Sequence, residues 1–255
     1  MNKKTIILIA FLLSFFVLGG VFFYGYKYAN LKNNDLNNIF RVDKSVSDSR
    51  EKEHDFEERA TLYQEKDQYS LDDFQNTGNL EEAEKKRLVE KLNKVYVLLR
   101  EHEKKYPYWI EIGLIKKTLG DYTGAISAWR NAVSLSKRPV LAYGNLADLY
   151  FHYLRNYEKA EEYYQKALEL NPRNFTYREG LADLYRYDLK EKSHLVEEIM
   201  LEGAKQDPAN KIFYYAYLVE FFTENKNAKK AQEYKDKIYK IDPKWKPYTE
   251  EETVQ

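Results

Sequence analysis

The stretch "GNLADLY" at Gly144–Tyr150 returns thirty-five residues later as "EGLADLY" at Glu179–Tyr185. A self-echo at a fixed interval of 20–50 residues is the mark of a stacked repeat, in which each unit buries its apolar face against the next. Extending the echo outward shows the unit. "LAYGNLADLYFHYLRNYEKAEEYYQKALELNPRN", Leu141–Asn174, reads as two helices broken near Arg155-Asn156 and stopped at Asn171-Pro172. The Pro residue drives its predecessor away from helical geometry, which gives the stop its cause.

Within that unit Tyr143, Leu146, Ala147, Tyr150, Ala160, Tyr164, Ala167 and Pro172 carry a specific alternation of bulky, small and aromatic positions. Position by position this resembles the tetratricopeptide repeat, a helix-turn-helix unit of about 34 residues, with one extra residue in the turn. Small residues let two helices approach closely, and rings fill the wedge between neighbours. The preceding unit fits through Trp109, Ile112, Gly113, Ala125, Trp129 and Ala132, with Lys116 in place of the usual aromatic. The third keeps Leu181, Ala182, Tyr185, Gly203 and Pro208, with Val196 and Met200 as departures. The fourth shows Tyr214, Tyr217, Leu218, Phe221, Ala231 and Pro243, in a register that admits a shift of one. The expected repeats are 106–139, 140–174, 175–210 and 211–243. The fold expected from the resemblance is all-α: a right-handed superhelical solenoid of about four units.

Other segments flank this stack. "NLEEAEKKRLVEKLNKVYVLLREHEKK" begins with Asn79 as an N-cap and carries an apolar stripe through Leu80, Ala83, Leu88, Leu92, Val95, Tyr96 and Leu99. It predicts a capping helix over 79–105. Residues 27–78 are polar, too poor in apolar side chains to offset their ordering entropy, and read as a mostly flexible spacer. From Thr5 to Tyr26 no formal charge occurs. At about 1.5 Å per helical residue this stretch spans roughly 33 Å, matching a bilayer core, so 5–26 is expected to be an uncleaved transmembrane helix. Residues 1–4 would form a cytoplasmic stub, and the solenoid would lie outside the cytoplasm of a single-pass membrane protein. The last helix, "AKKAQEYKDKIYK", has a polar side suited to a terminal cap, and 244–255 reads as a loose tail from which Trp245 folds back.

Composition narrows the chemistry. Lys and Arg number 41 against 41 Asp and Glu, so no basic excess argues for nucleic acid. Cysteine is absent, which removes disulfides, thiolate nucleophiles and Cys-based metal sites. Glu51…His54 and Glu191…His194 have the E-x-x-H spacing of di-iron bundles, but one falls in the spacer and the other in a repeat turn. No metal or cofactor is expected, and no nucleophile elbow or phosphate loop occurs.

The resemblance implies that the first helix of each repeat lines a ligand channel. Carried over, the channel residues are Asp148 and His152 in the second repeat and Glu179, Asp183, Arg186 and Tyr187 in the third. Aligned aspartates, extended by Glu220 under the shifted register, favour a basic or amide-rich peptide. On this reading Asp148→Lys with Asp183→Lys weakens capture without lowering stability. Chaperone carboxy-termini are not expected, because Ile110, Leu114, Thr176 and Gly180 stand where the basic and amide residues should be. The function expected is a non-enzymatic, membrane-anchored adaptor that docks a protein or peptide. The alternatives are an envelope-associated assembly chaperone and an enzyme with dispersed catalytic residues.

Overall fold

The structure is a computed structural model that describes residue 60, residues 63–74, residue 77 and residues 80–247. These belong, but for Pro247, to one compact unit spanning Arg50–Lys246. The predicted span 5–26, residues 1–4, most of the spacer, Asn79, His54 and the tail beyond 247 lie outside the described residues. No strand occurs among those described, and no helix there is long and apolar enough to cross a membrane.

Nine α-helices occur among the described residues. They are α1 Glu82–Glu101, α2 Tyr106–Thr118, α3 Tyr122–Leu135, α4 Val140–Leu149, α5 Tyr157–Leu170, α6 Phe175–Asp183, α7 Val196–Gln206, α8 Lys211–Glu224 and α9 Ala228–Tyr239. From α2 onward they pair as α2/α3, α4/α5 and α8/α9, with α6 and α7 forming the third pair. Each pair also packs on the next, so the order in the chain is the order in the stack. α1 packs on α2 through Val89, Leu92, Val95, Tyr96 and Leu99, the stripe foreseen except that Val89 enters and Ala83 is exposed.

Small residues seat rings at the crossings. A Cβ built on Gly113 would strike the Trp129 indole, and one on Gly180 would strike the Tyr164 ring. The indole N–H donates to the Ile110 carbonyl at 3.2 Å, which fixes the ring on α2. Val196 and Met200, departures from the family pattern, are fully buried, so apolar volume rather than a particular residue is what their sites require. Arg178 on α6 is buried and donates to the carbonyls of Ile199 and Pro172, both at 2.9 Å, tying α7 to the loop that ends α5.

The turns inside repeats share a device. Asp121, Asn156 and Asn227 cap α3, α5 and α9, each accepting the backbone N–H three residues on, at 2.8, 2.9 and 3.1 Å. The residue before each cap is left-handed: Gly120 at φ 78°, Arg155 at φ 53° and Lys226 at φ 56°. Only the first is the glycine that this geometry favours. The extra residue expected in the turn of the second repeat is taken up elsewhere. The first helix ends in a wide π turn, Tyr150–Leu154, and the third repeat does the same at Leu184–Asp188. Widening the last turn absorbs an insertion while leaving the capped turn of the second repeat intact.

Turn geometry also settles the register of the fourth repeat. Asn227 N–H donates to the Phe222 carbonyl as Asp121 N–H does to that of Lys116, at 2.8 and 2.9 Å. Tyr215, Leu218, Val219 and Phe222 therefore stand where Trp109, Ile112, Gly113 and Lys116 stand in the first. The shifted alternative holds, and the assignment through Tyr214, Tyr217 and Phe221 is corrected by one position.

A second correction concerns the spacer. Residues 63–74, read as flexible, pack on α1 and α2 with Tyr69 and Phe74 buried. Their anchor is Lys116, whose side chain is 0% exposed. Its ammonium donates to the hydroxyls of Tyr63 at 2.6 Å and Tyr69 at 2.9 Å, and pairs with Asp121 at 3.2 Å and Glu65 at 3.3 Å. Burial alone would depress the Lys116 pKa, but the Asp121 and Glu65 carboxylates outweigh it and hold it above its ordinary value. At the other end, Ala231, Tyr234 and Ile238 bury the inner side of α9, and Trp245 packs edge-on against Tyr239 at 5.8 Å.

Two substitutions separate packing from turn strain. Tyr150 is buried against the Tyr163 ring at 5.6 Å, and Tyr150→Ala is expected to cost about 3 kcal/mol in denaturant unfolding. Lys226→Gly, at an exposed left-handed residue, should instead stabilise by about 1 kcal/mol.

Candidate functional site

The places expected to line a channel fall in two columns along the first helices. With the fourth register settled, one column runs Leu114, Asp148, Asp183, Glu220, and the other runs Thr118, His152, Tyr187, Glu224. Regular helix stacking carries each column from repeat to repeat. Apolar at the first repeat, the surface becomes acidic at the third and fourth.

The aspartates are not bare. Asp148 accepts the Tyr164 hydroxyl at 2.6 Å, and Asp183 accepts that of Tyr217 at 2.6 Å. The partner of Asp148 lies on the second helix of its own repeat, whereas that of Asp183 lies on the next repeat. Both carboxylates are half-buried, and burial raises the pKa of each. The pairing corrects the expectation that the double aspartate-to-lysine change spares stability. It would strip two buried hydroxyls of their acceptors, each a loss of about 1–3 kcal/mol.

Arg186 also stands differently from expectation. Its side chain is 4% exposed, and its guanidinium donates to Glu220 at 3.1 Å and to Glu224. Flanked by the rings of Tyr187 at 4.8 Å and Tyr217 at 5.4 Å, it is a strut between the third and fourth repeats, not a free ligand contact. What remains open to a ligand is the rim: exposed Tyr187, exposed His152 with its ring against Phe151 at 4.3 Å, and the outer oxygens of Glu220 and Glu224. Glu179, half-buried one turn before Asp183, completes the floor. The sequence pattern named these positions but did not show the tyrosine hydroxyls that donate to the aspartates. The only signal was a tyrosine recurring near each aspartate by repeat geometry.

Burial first, and then the charges of Asp183 and Glu220, push the Glu179 carboxyl up to about 7 from its ordinary 4.5. Asp183 is pushed up to about 6 from 3.8, by burial and by Glu220 and Glu224, against the opposing Tyr217 hydroxyl and Arg186. Among the described residues no cluster of three or more metal-ligating side chains occurs.

Part of the chain matches known proteins. A family model described as Tetratricopeptide repeat matches residues 106–139 and 140–174, the bounds read from the sequence for the first two repeats. Tetratricopeptide repeat protein 6 of Homo sapiens is 34% identical over 62 residues, which cover 24% of this chain and 12% of that protein. The chain thus spans a small part of that relative's length. Of solved structures, "Crystal structure of MamA" aligns at 18% identity with a TM-score of 0.49, over 66% of this chain and 98% of the other. "MamA RS-1 ArsTM double mutant" aligns at 18% identity with a TM-score of 0.47, over 61% of this chain and 85% of the other. Residues 106–139 and 140–174 thus match tetratricopeptide repeats, within a stack that is helical among the described residues.

A pH signature follows from the raised carboxyls. Folded, Glu179 and Asp183 hold protons that the unfolded chain releases between about pH 4 and pH 7, so their contribution to stability is lost as pH rises through that window. Glu179→Gln should therefore raise the melting temperature at pH 8 and leave it nearly unchanged at pH 5. Equal shifts at both values would contradict the assignment.

Proposed function

We propose that the protein is a membrane-anchored adaptor that docks a partner protein along the first-helix columns of its repeats. The observation that carries this reading is the acidic floor at the third and fourth repeats. Glu220 and Glu224 pair with the guanidinium of Arg186, Asp183 lies within its field, and Glu179 stands in the field of Asp183 and Glu220. In a chain whose net charge is zero, such a local excess favours a partner segment bearing lysine, arginine or amide side chains. A cation seated there would favour the charged forms of Glu179 and Asp183, strengthening the contact as it forms. Asp148, His152 and Tyr187 extend the same surface towards the second repeat, giving an extended peptide polar and aromatic contacts in succession. Repeat stacks bind through such surfaces, with affinity distributed over many positions.

Anchoring rests on Thr5–Tyr26, uncharged over a length that matches the bilayer core. In this arrangement the helical stack faces away from the cytoplasm and is held at the cell membrane.

The test is site-specific photo-cross-linking in intact cells, with the reactive group placed at Tyr187 or, as control, at exposed Glu169 on α5. A discrete adduct from position 187 and none from 169 is expected, and Glu220→Lys with Glu224→Lys should abolish it. Identical adducts from both positions would set the surface assignment aside. Protease added outside spheroplasts should degrade the stack, and protection would reverse the topology.

A further inference from the structure

The segment Tyr63–Phe74 is held on α1 and α2 in the manner of a bound peptide. Asn93 on α1 clamps the main chain of Tyr69 with both ends of its amide. Its Oδ1 accepts the Tyr69 N–H at 2.8 Å, and its Nδ2 donates to the Tyr69 carbonyl at 2.8 Å. A side-chain amide satisfying both groups of one residue is how extended chains are fixed without forming a sheet. The Tyr69 ring lies between Tyr96 at 5.4 Å and Phe74 at 5.7 Å, over the Lys116 ammonium at 4.3 Å. The Tyr69 hydroxyl donates to Glu65 at 2.7 Å and accepts from Lys116 at 2.9 Å. Tyr63 adds a second hydroxyl on Lys116 and donates to Asp121 at 2.6 Å.

By contrast, among the described residues the segment makes backbone-to-backbone bonds only within its own short turn, Asp73 N–H to Ser70 at 3.3 Å and Phe74 N–H to Leu71 at 3.2 Å. The fit also has a flaw: Oε1 of Glu65 is buried with no hydrogen-bond partner, an uncompensated desolvation. All of this lies off the ligand-facing columns, since Lys116 occupies the inward place that Tyr150 and Tyr185 hold in later repeats.

We propose that α1 and the first repeat form a second peptide site, for an extended segment with tyrosine at the clamp, occupied in cis by Tyr63–Phe74. The strap is a ligand of the stack, able to leave it as a unit and to be replaced by the same segment of a second copy.

The test uses the full-length chain in mild detergent. With Tyr69→Ala and Phe74→Ala the strap loses both buried rings and vacates the site. A fluorescent synthetic peptide of sequence Tyr63–Phe74 should then bind at least tenfold more tightly than to the wild-type chain, read by anisotropy. Adding Asn93→Ala to that variant should abolish binding. No binding to a variant of unchanged helicity, or indifference to Asn93→Ala, overturns the proposal. So does a variant that loses the helicity of the whole stack, because the strap is then part of the fold. On the wild-type chain, hydrogen exchange gives an independent reading. The strap amides should exchange together and faster than those of Leu92–Leu99, and coincident exchange overturns the separable strap.

Discussion

Everything in this protein depends on helix axes coming close enough for one ring to fill the gap that a missing side chain leaves. Gly113 receives the Trp129 indole and Gly180 the Tyr164 ring, and no Cβ could enter either place without displacing them. The stack is held joint by joint. Its helices touch chain neighbours, so its stability is a sum of local interfaces and each ring seat secures its own joint. The same seats locate the candidate site. Tyr164, held against Gly180 of the next repeat, extends its hydroxyl to Asp148, so one side chain closes a packing joint and orients a carboxylate of the candidate site.

This double use limits what the acidic columns can be. A carboxylate placed wholly for a ligand would be exposed and cheap to replace. Asp148 and Asp183 are instead acceptors for buried tyrosines, and Arg186 spends its guanidinium across the joint between the third and fourth repeats. What they leave exposed is a rim of His152, Tyr187, Glu220 and Glu224 around a partly structural floor. The raised Glu179 carboxyl follows from burial first, and then from the charges of Asp183 and Glu220. A cation brought beside it would favour the charged form.

Helix pairs, helix stops and the ring-and-small-residue alternation were legible because each is a local rule that repeats at a fixed spacing. Asn171-Pro172 and Asp207-Pro208 end helices wherever they occur, and Gly144–Tyr150 packs as Glu179–Tyr185 does. Two things were not legible. Residues 63–74 have the composition of a spacer, and their order comes from Lys116, more than forty positions away and itself an apparent defect in the pattern. Nothing in either segment alone announces a cation among tyrosines. The fate of inserted residues was hidden too, because a loop and a widened helical turn absorb an extra residue equally well on paper. Only the hydrogen bond from Asn227 to Phe222 decided the register of the fourth repeat.

The two ends of the stack are finished differently from its joints. Tyr69 and Phe74 close over α1 and α2 at the beginning, while at the end α9 buries Ala231, Tyr234 and Ile238 beneath a charged outer side. A helical array with a bare terminal face would accept the opposite face of another molecule, and such head-to-tail contacts propagate without limit into fibres. Here neither terminus offers the apolar wedge that an internal joint requires. With the strap in place, a second copy approaching either end of the described stack meets covered apolar side chains where an internal joint would offer an open wedge.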